Sequence, residues 1–370
     1  MEVNNVVKPN LQIRAFYLFF IIVNIQTGLG ILGAPRHIFQ EAKQDGWMSV
    51  LICGVLMHLV VFAMLFILKK YESADLLGIQ VDIFGTWIGK LLGTLYLVYI
   101  FATLLSSLIN YIQIVQVFIY PQMPSWMLGS LLVILIVYTV SGGVRTAVGI
   151  AFVFFFLSFW LFFFLYKTVG YMELTSFRPI LEASPRDLLL GSYQAGYSFI
   201  GIEILFFLYP FIEDKKKVAL PAHLGVAMTT FLVLVVMIIS IGYFSPTALE
   251  HMLWPVLTLF KVVEYPIIER FDLIVVTQWA MVIFPNFILF SWIITYGMKR
   301  LYGFTQRKTL LVVASLLLIG ITFIKKQLLI STLLGSVSSA GFWIAFIYPL
   351  LLLPLVLIKK KFFSKKGNSE

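Results

Sequence analysis

The stretch Asn24 to Arg36, which reads NIQTGLGILGAPR, lies in an apolar segment that cannot form one continuous membrane helix. Residues 15–35 carry no charge and are long enough to cross a hydrocarbon core of about 30 Å. Three glycines and a proline follow in the second half of the segment, and each glycine costs a helix about 1 kcal/mol relative to alanine. A broken backbone is tolerated in a membrane only where protein buries it or where it lines a wet cavity. We therefore interpret residues 26–33 as an unwound hinge that faces a site.

The composition places the chain among polytopic membrane proteins. Of its 370 residues, 61% are hydrophobic and 12% are charged, far from the averages of soluble domains. The net charge of +10 comes from lysines and arginines between the apolar segments, which a positive-inside bias explains better than nucleic-acid binding. The single cysteine, Cys53, has no partner for an intrachain disulfide. The sequence has no metal-ligand cluster, phosphate loop or hydrolase motif, so we expect no cofactor and no enzymatic activity.

Apolar segments along the chain predict ten membrane spans. If both termini lie on one side, that side receives most of the 27 lysines and arginines, and we predict that it is the cytoplasm. The basic tail, residues 359–370, would then lie in the cytoplasm near anionic lipid. The predicted spans are 12–35, 46–68, 90–119, 125–144, 146–166, 188–210, 218–244, 273–298, 308–324 and 328–358.

Two amphipathic stretches occupy equivalent places between the spans. Residues 71–88 follow the second span, and residues 247–268 follow the seventh, and each is predicted to form a helix at the membrane surface. The sixth span is interrupted by glycines and is expected to end at Pro210, as the first is expected to end at Pro35. The interrupting glycines are Gly191, Gly196 and Gly201.

These matching positions predict the fold. Two halves of opposite orientation, each opening with a broken helix, are typical of inverted-repeat transporters. We therefore predict an all-α polytopic membrane protein with ten transmembrane helices in a five-plus-five inverted repeat, the LeuT-like fold, in which helices 1 and 6 are broken. The two repeats would be 12–166 and 188–358, within a single transmembrane domain.

The broken helices could bind a charged ligand without charged side chains. The second half of a broken helix begins with free N–H groups, and the first half ends with free carbonyls. A zwitterion such as an amino acid fits this pair, with its carboxylate near Gly30 and Ile31 and its ammonium near Tyr197 and Ser198. The alternative is that the glycines only permit close packing of the helices.

Polar side chains on three other helices are further candidates. Glu203 is the acidic residue that we place well inside a span, where a carboxylate costs about 2.5–3.5 kcal/mol and should face the protein interior. It could contact a ligand ammonium, bind a proton, hold span 6 to a neighbour or be a protonated structural group. Polar groups also recur on one face of the third span and on the eighth, although such groups are often only interhelical hydrogen bonds. The candidate ligand-binding residues are Gly28, Leu29, Gly30, Ile31, Thr103, Ser106, Tyr197, Ser198, Phe199, Gly201, Glu203, Asn286, Phe290 and Ser291.

Four stretches carry a family resemblance. They are GILGAPR at 30–36, DGW at 45–47, FIGIEILFFLYP at 199–210 and MLWPVLTLFKVVEYPIIERFD at 252–272. Together they resemble the B subunit of endospore germinant receptors, a family within the amino acid, polyamine and organocation permease superfamily. The resemblance extends over essentially the whole chain, including its length and its number of spans.

The resemblance implies a ligand-sensing subunit in the spore inner membrane, working with a larger A subunit and a lipoprotein C subunit. It would bind a small germinant, most often an amino acid, at the first-span break around Gly28 and Gly30, with the third, sixth and eighth spans closing the pocket. The alternatives are a proton- or sodium-coupled amino-acid transporter and a water or ion pore opened by its partners. The fifth span has no internal lysine to replace a coupling cation, which weighs against a coupled transporter.

Overall fold

The architecture is taken from a computed structural model, which describes residues 2–263 and 270–366. The described chain is almost entirely helical, and its β-structure consists of two isolated bridges. In chain order the α-helices are α1 Tyr17–Gln26, α2 Gly30–Ala42, α3 Gly46–Tyr71, α4 Leu76–Phe118, α5 Ser125–Ser141, α6 Val144–Phe159, α7 Tyr166–Val169, α8 Pro185–Gly196, α9 Ile204–Leu208, α10 Ala219–Tyr243, α11 Pro246–His251, α12 Pro255–Leu259, α13 Phe271–Tyr302, α14 Gln306–Phe323, α15 Gln327–Phe342 and α16 Tyr348–Lys366.

The helices account for the predicted ten spans. Seven helical segments are long and apolar enough to cross a membrane, and α1 and α5 are shorter apolar helices. One of the seven runs through both α2 and α3, so α2 completes the first span and α3 forms the second. Span 1 is α1 with α2, span 2 is α3, span 3 is α4, span 4 is α5, span 5 is α6 with α7, span 6 is α8 with α9, span 7 is α10, span 8 is α13, span 9 is α14, and span 10 is α15 with α16.

The break in span 1 is narrower than the sequence predicts. Only residues 27–29 are non-helical, and α2 then continues through Pro35 to Ala42. The prediction that the span ends at Pro35 is therefore wrong. Because α2 begins only at Gly30, the proline removes one backbone hydrogen bond near the start of a helix rather than ending a long one.

The break in span 6 has a different form. After α8 the chain makes a short 3-10 turn at Tyr197–Phe199, and residues 200–203 are non-helical before α9 begins. Ile200 is extended, with φ −60° and ψ 142°, and Gly201 has a φ of +106°. A positive φ is readily adopted only by glycine, so Gly201 is the residue that permits this break.

The two surface stretches differ from each other. A positive φ at Gly85 separates the first turns of α4 from the rest of span 3, so the first stretch contains a short surface helix that begins at Leu76 and ends before Gly85, shorter than the predicted 71–88. The second stretch is not one helix: α11 and α12 are separated at residues 252–254. Proline disfavours helical backbone at the residue before it, and Trp254, before Pro255, has φ −131° and ψ 72°. The predicted end of this helix, residues 264–268, lies outside the described residues.

The core lies where the two broken spans meet spans 3, 7 and 8. Span 8 packs along spans 3 and 5, and span 1 packs against span 7. The largest fully buried side chains include Phe199, Phe206 and Phe207 of span 6 and Trp279 and Phe287 of span 8. Burial of such aromatic side chains around the breaks leaves the unwound backbone inside protein, as a membrane requires.

A buried carboxylate ties the loop after span 1 to the loop before span 6. Asp45 is 1% exposed and accepts hydrogen bonds from the backbone N–H groups of Leu181, Glu182 and Ala183 at 2.9, 2.7 and 2.9 Å. This anchor fixes the chain that leads into α8.

We expect Asp45→Ala to lower the stability of the fold by roughly 2–3 kcal/mol, because three N–H donors lose a charged acceptor. Thermal unfolding of the purified chain in detergent measures this, and Glu41→Gln in the last turn of α2 is the matched control. Equal melting temperatures for the two variants would show that Asp45 does not anchor the loop.

Candidate functional site

The two broken helices touch each other directly. A Cβ atom built on Gly30 would lie 3.1 Å from Cα of Ser198 and 3.3 Å from the carbonyl oxygen of Tyr197. A Cβ atom on Gly28 would lie 2.4 Å from Nδ2 of Asn286, which donates to the carbonyl of Ile25 at 3.2 Å. A side chain at position 30 would therefore push the backbone of span 6 away by a few tenths of an ångström, and a side chain at position 28 would force Asn286 to turn.

A small cavity of about 30 Å³ lies at the breaks. Its volume suits a water molecule or a single small group rather than a whole amino acid. Seven of the fourteen predicted site residues do not line this cavity. The cavity is lined by Gly28, Leu29, Gly30, Thr103, Tyr197, Asn286 and Phe290, as predicted, together with Ile25, Gln26, Ser107 and Ile200.

The other predicted residues lie behind this cavity. Ile31, Phe199 and Ser291 are fully buried, and Ser106 donates to the carbonyl of Thr103 at 2.9 Å. The hydroxyls of Ser198 and Ser291 are buried and have no hydrogen-bond partner among the described residues. The remaining two residues, Gly201 and Glu203, form the second break itself.

A larger vestibule of about 380 Å³ lies next to the small cavity and shares Leu29, Gly30 and Tyr197 with it. This volume lies in the range of small-molecule sites. Arg36 and His37 supply its basic groups, and its described lining contains no carboxylate. The remaining lining residues are Gly33, Asn110, Gln113, Tyr193, Gln194, Leu253, Trp254, Gln327, Ser331, Leu334, Gly335, Ser338 and Ser339.

The sequence-based candidates omitted most of this vestibule. They placed the site on spans 1, 3, 6 and 8, whereas the vestibule also takes residues from the start of span 10 and from the segment between α11 and α12. A signal was present in span 10, because Ser331, Gly335 and Ser338 recur at intervals of three or four residues and so share one helix face. A side-chain hydrogen bond from Gln113 to Gln327 joins span 3 to span 10 beside the vestibule.

The rim of the vestibule is held by contacts to α11. Arg36 donates to the carbonyl oxygen of Glu250 at 3.0 Å, and Lys43 forms a 2.7 Å salt bridge with the Glu250 carboxylate. The hydrogen bond and charge of Lys43 hold the pKa of Glu250 below its ordinary value. The ion pair therefore persists at neutral pH and is lost only when the pH falls through that lowered pKa.

The opposite end of the bundle is closed by a buried ion pair. The Asp75 carboxylate, which is 0% exposed, accepts from Arg300 Nε at 2.8 Å, from the hydroxyl of Tyr296 and from the backbone N–H of Gly78 at 2.8 Å. We call Asp75, Tyr296 and Arg300 the closed-end latch. It joins the surface helix at the start of α4 to the end of span 8.

The N-terminal strap, residues 2–5, lies across this latch. Asn5 donates from Nδ2 to the Tyr296 hydroxyl at 2.8 Å and from its backbone N–H to the Ser73 carbonyl at 3.0 Å. Arg300 Nη2 donates to the Glu2 carbonyl at 3.1 Å. The vestibule thus opens at one end of the bundle while strap and latch close the other.

Broken helices that meet in the core, a vestibule at one end and a closed opposite end define a membrane protein of the inverted-repeat transporter class. A family model described as "Spore germination protein" matches residues 12–329. The chain therefore belongs to this family of spore germination permeases, which confirms the family predicted from the sequence.

Relatives and solved structures agree with this assignment. The chain is 30% identical to spore germination protein GerQB of Bacillus cereus, over 91% of this chain and 93% of that protein. It is 25% identical to spore germination protein YndE of Bacillus subtilis, over 80% and 82% of the two chains. Both relatives are matched over most of their length.

The solved structures support the fold alone. A manganese transporter of Eremococcus coleocola aligns with a TM-score of 0.60 at 13% identity, over 92% of this chain and 78% of that one. Mhp1, a nucleobase-cation-symport-1 family transporter, aligns with a TM-score of 0.55 at 14% identity, over 91% and 79%. These LeuT-fold neighbours confirm the predicted fold class, and with the family they confirm that the chain is an integral membrane protein of a permease type and not an enzyme.

Proposed function

We propose that the chain is the nutrient-sensing subunit of a spore germinant receptor. It would bind a small polar nutrient, an amino acid in the first instance, and signal to partner A and C subunits in the spore inner membrane. Membership of the spore germination family supports the process. The observation that carries the proposal is the vestibule, which ends on the touching breaks at Gly30 and Tyr197.

The orientation of the chain in the membrane decides which side the vestibule faces. With both termini in the cytoplasm, the vestibule opens to the outer side, from which nutrients arrive, and the closed-end latch lies on the inner side. We also propose that residues 359–370 form a cytoplasmic tail and that residues 12–166 and 188–358 are the two inverted repeats. A ligand can shift such a two-state protein only by its difference in affinity for the two states.

The chemistry of the vestibule fits a zwitterion. Arg36 provides a guanidinium for a carboxylate, while the amides of Asn110 and Gln194 and the hydroxyl of Ser338 can bind further polar groups. The first N–H groups of α2 lack partners within the helix and carry partial positive charge. The indole of Trp254 lines the same space and offers an apolar surface to a side chain.

Ligand binding and uptake by the purified chain test this proposal. The twenty common L-amino acids would be screened for thermal stabilisation in nanodiscs and, when labelled, for uptake into proteoliposomes with and without proton and sodium gradients. Saturable binding without accumulation is the expected result. Gradient-driven accumulation would make the chain a transporter, and absence of any binding would contradict the amino-acid assignment.

We expect Arg36→Gln to weaken amino-acid binding by about tenfold or more, since a charge-assisted hydrogen bond to a carboxylate contributes about 1.5–3 kcal/mol. The dissociation constant in nanodiscs measures this. Arg186→Gln is the matched control, because Arg186 is exposed near the start of α8 and does not line the vestibule. Equal loss of affinity in both variants would remove Arg36 from the binding site.

A further inference from the structure

Glu203 lies at the second break with its carboxylate held by neutral hydrogen-bond donors. The side chain is 0% exposed. Its Oε1 accepts from the hydroxyl of Tyr99 at 3.0 Å, and its Oε2 accepts from the backbone N–H of Gly201 at 2.8 Å. The carboxyl group is therefore fixed in place at the centre of the bundle.

No opposite charge faces this carboxyl group in the described part of the chain. None of the five salt bridges there includes Glu203. The titratable groups around it are tyrosines: Tyr96 and Tyr99 come from span 3, Tyr197 faces Tyr99 from span 6, and Tyr348 faces Tyr96 from span 10. A buried carboxylate without a cation is costly in a membrane, and binding a proton removes the charge.

Three tyrosines and a glutamine lie between Glu203 and the closed end of the bundle. The Tyr96 ring centroid lies 6.1 Å from that of Tyr99 and 6.4 Å from that of Tyr348. Gln80 then donates to the Tyr348 hydroxyl at 2.8 Å. Gln80 belongs to the surface helix at the closed end, two residues before Asp82, whose side chain is 25% exposed.

Two atoms in this group of residues have unused hydrogen-bonding capacity. The Tyr96 hydroxyl and Gln80 Oε1 are buried and have no partner among the described residues. Buried polar groups of this kind are normally satisfied by a bound water. Both atoms lie between Glu203 and the closed end, where they could complete a hydrogen-bonded path.

We propose that Glu203 is a proton-binding site that exchanges its proton with the closed end of the bundle through the hydroxyls of Tyr99, Tyr96 and Tyr348, with bound water linking the Tyr96 hydroxyl to its neighbours and Gln80 holding Tyr348 in place. One proton enters from water at that end, each hydroxyl accepts a proton and donates its own onward, and the Glu203 carboxylate becomes a neutral carboxylic acid. The relay groups end unchanged. The site does not depend on the proposed germinant.

Infrared spectroscopy of the purified chain in nanodiscs tests the proton site directly. At neutral pH we expect the wild type to show the carbonyl band of a protonated carboxylic acid in an apolar environment, and Glu203→Gln to lack it. Glu173→Gln is the matched control, because Glu173 is exposed, and it should keep the band. A wild-type spectrum without this band would overturn the proposal.

A second variant covers the case in which Glu203→Gln does not fold. Tyr99→Phe keeps the carboxyl group but removes the hydrogen bond to Oε1, so the band should persist at a shifted frequency. A band that Tyr99→Phe leaves at the wild-type frequency would belong to another carboxyl group. The readout needs no nutrient, so a missing nutrient response would count against the proposed function and leave the proton site standing.

The rate of hydrogen–deuterium exchange tests the path. After mixing with D₂O, we expect the carboxylic-acid band of Tyr96→Phe and Tyr348→Phe to shift about tenfold more slowly than that of the wild type, because each variant lacks one proton-transferring hydroxyl. Tyr138→Phe, at a site 81% exposed, should exchange at the wild-type rate. Equal rates in all three variants would overturn the assigned path.

Discussion

Replacing Gly30 by valine is expected to abolish the response to nutrient while leaving the protein in the membrane. The Cβ atom would meet backbone, at 3.1 Å from Cα of Ser198 and 3.3 Å from the carbonyl oxygen of Tyr197, and backbone cannot rotate away as a side chain can. Overpacking of this kind costs typically about 1–3 kcal/mol, or an about 5- to 150-fold change in an equilibrium. The two breaks would have to separate, and the floor of the vestibule would change shape.

Gly28 differs from Gly30 in what an added side chain would meet. At Gly28 the nearest atom is Nδ2 of Asn286, 2.4 Å from the added Cβ, and that side chain can turn. We therefore expect Gly28→Val also to remove the response, but to a smaller extent than Gly30→Val. Gly149→Val is the control, since nothing lies within 4 Å of a Cβ there.

Amino-acid binding in nanodiscs and germination of spores carrying each variant at wild-type protein level measure these effects. Normal germination with Gly30→Val would place the sensing site elsewhere. A loss of protein from the membrane in Gly149→Val as well would show only that valine is poorly tolerated in these helices.

The fold could be predicted because its determinants are local. Membrane insertion depends on hydrophobicity summed over about 20 residues, and the breaks follow from residues such as Gly201 whose backbone angles are barred to other side chains. The error at residues 247–268 had the same local origin. The proline at position 255 disfavours helical backbone at Trp254, and this local effect interrupts the amphipathic pattern that predicts one helix.

The vestibule could not be predicted in the same way because its lining depends on which helices meet. In the sequence, Arg36 is simply the first charged residue after an apolar span. Only the fold places it in the same vestibule as Gln194 of span 6 and Ser338 of span 10. Ile31 and Ser291 are the opposite case, because both are predicted to line the site and neither does. They lie on the predicted helices but are fully buried, since a span number does not specify which side of a helix faces the cavity.

Removing the cation of the closed-end latch is the second change with a large expected effect. Arg300→Gln leaves the Asp75 carboxylate, which is 0% exposed, without its charged partner, and breaking a buried pair in this way costs roughly 3–5 kcal/mol. The side chain of Arg300 is itself 15% exposed, so solvent screens little of this cost. We expect the strap to detach and the closed end to open in a larger fraction of molecules.

Thiol labelling of Asn5→Cys measures that opening. Asn5 lies in the strap and is bound to Tyr296, while the single native cysteine, Cys53, is buried and should not react. A cost of about 3 kcal/mol corresponds to an about 150-fold larger open fraction, so labelling should accelerate strongly. Arg307→Gln is the control, because Arg307 takes part in none of the salt bridges of the described residues.

A double variant separates the charge effect from lost packing. Asp75→Asn combined with Arg300→Gln removes both charges, so no carboxylate remains buried without a partner. We expect the double variant to be labelled more slowly than Arg300→Gln alone. Two destabilising substitutions at independent sites would instead add their effects and accelerate labelling. Equal labelling of Arg300→Gln and Arg307→Gln would contradict the latch. If the proposed function holds, spores carrying Arg300→Gln should also germinate faster without nutrient, since the substitution lowers the free energy that a bound nutrient otherwise has to supply.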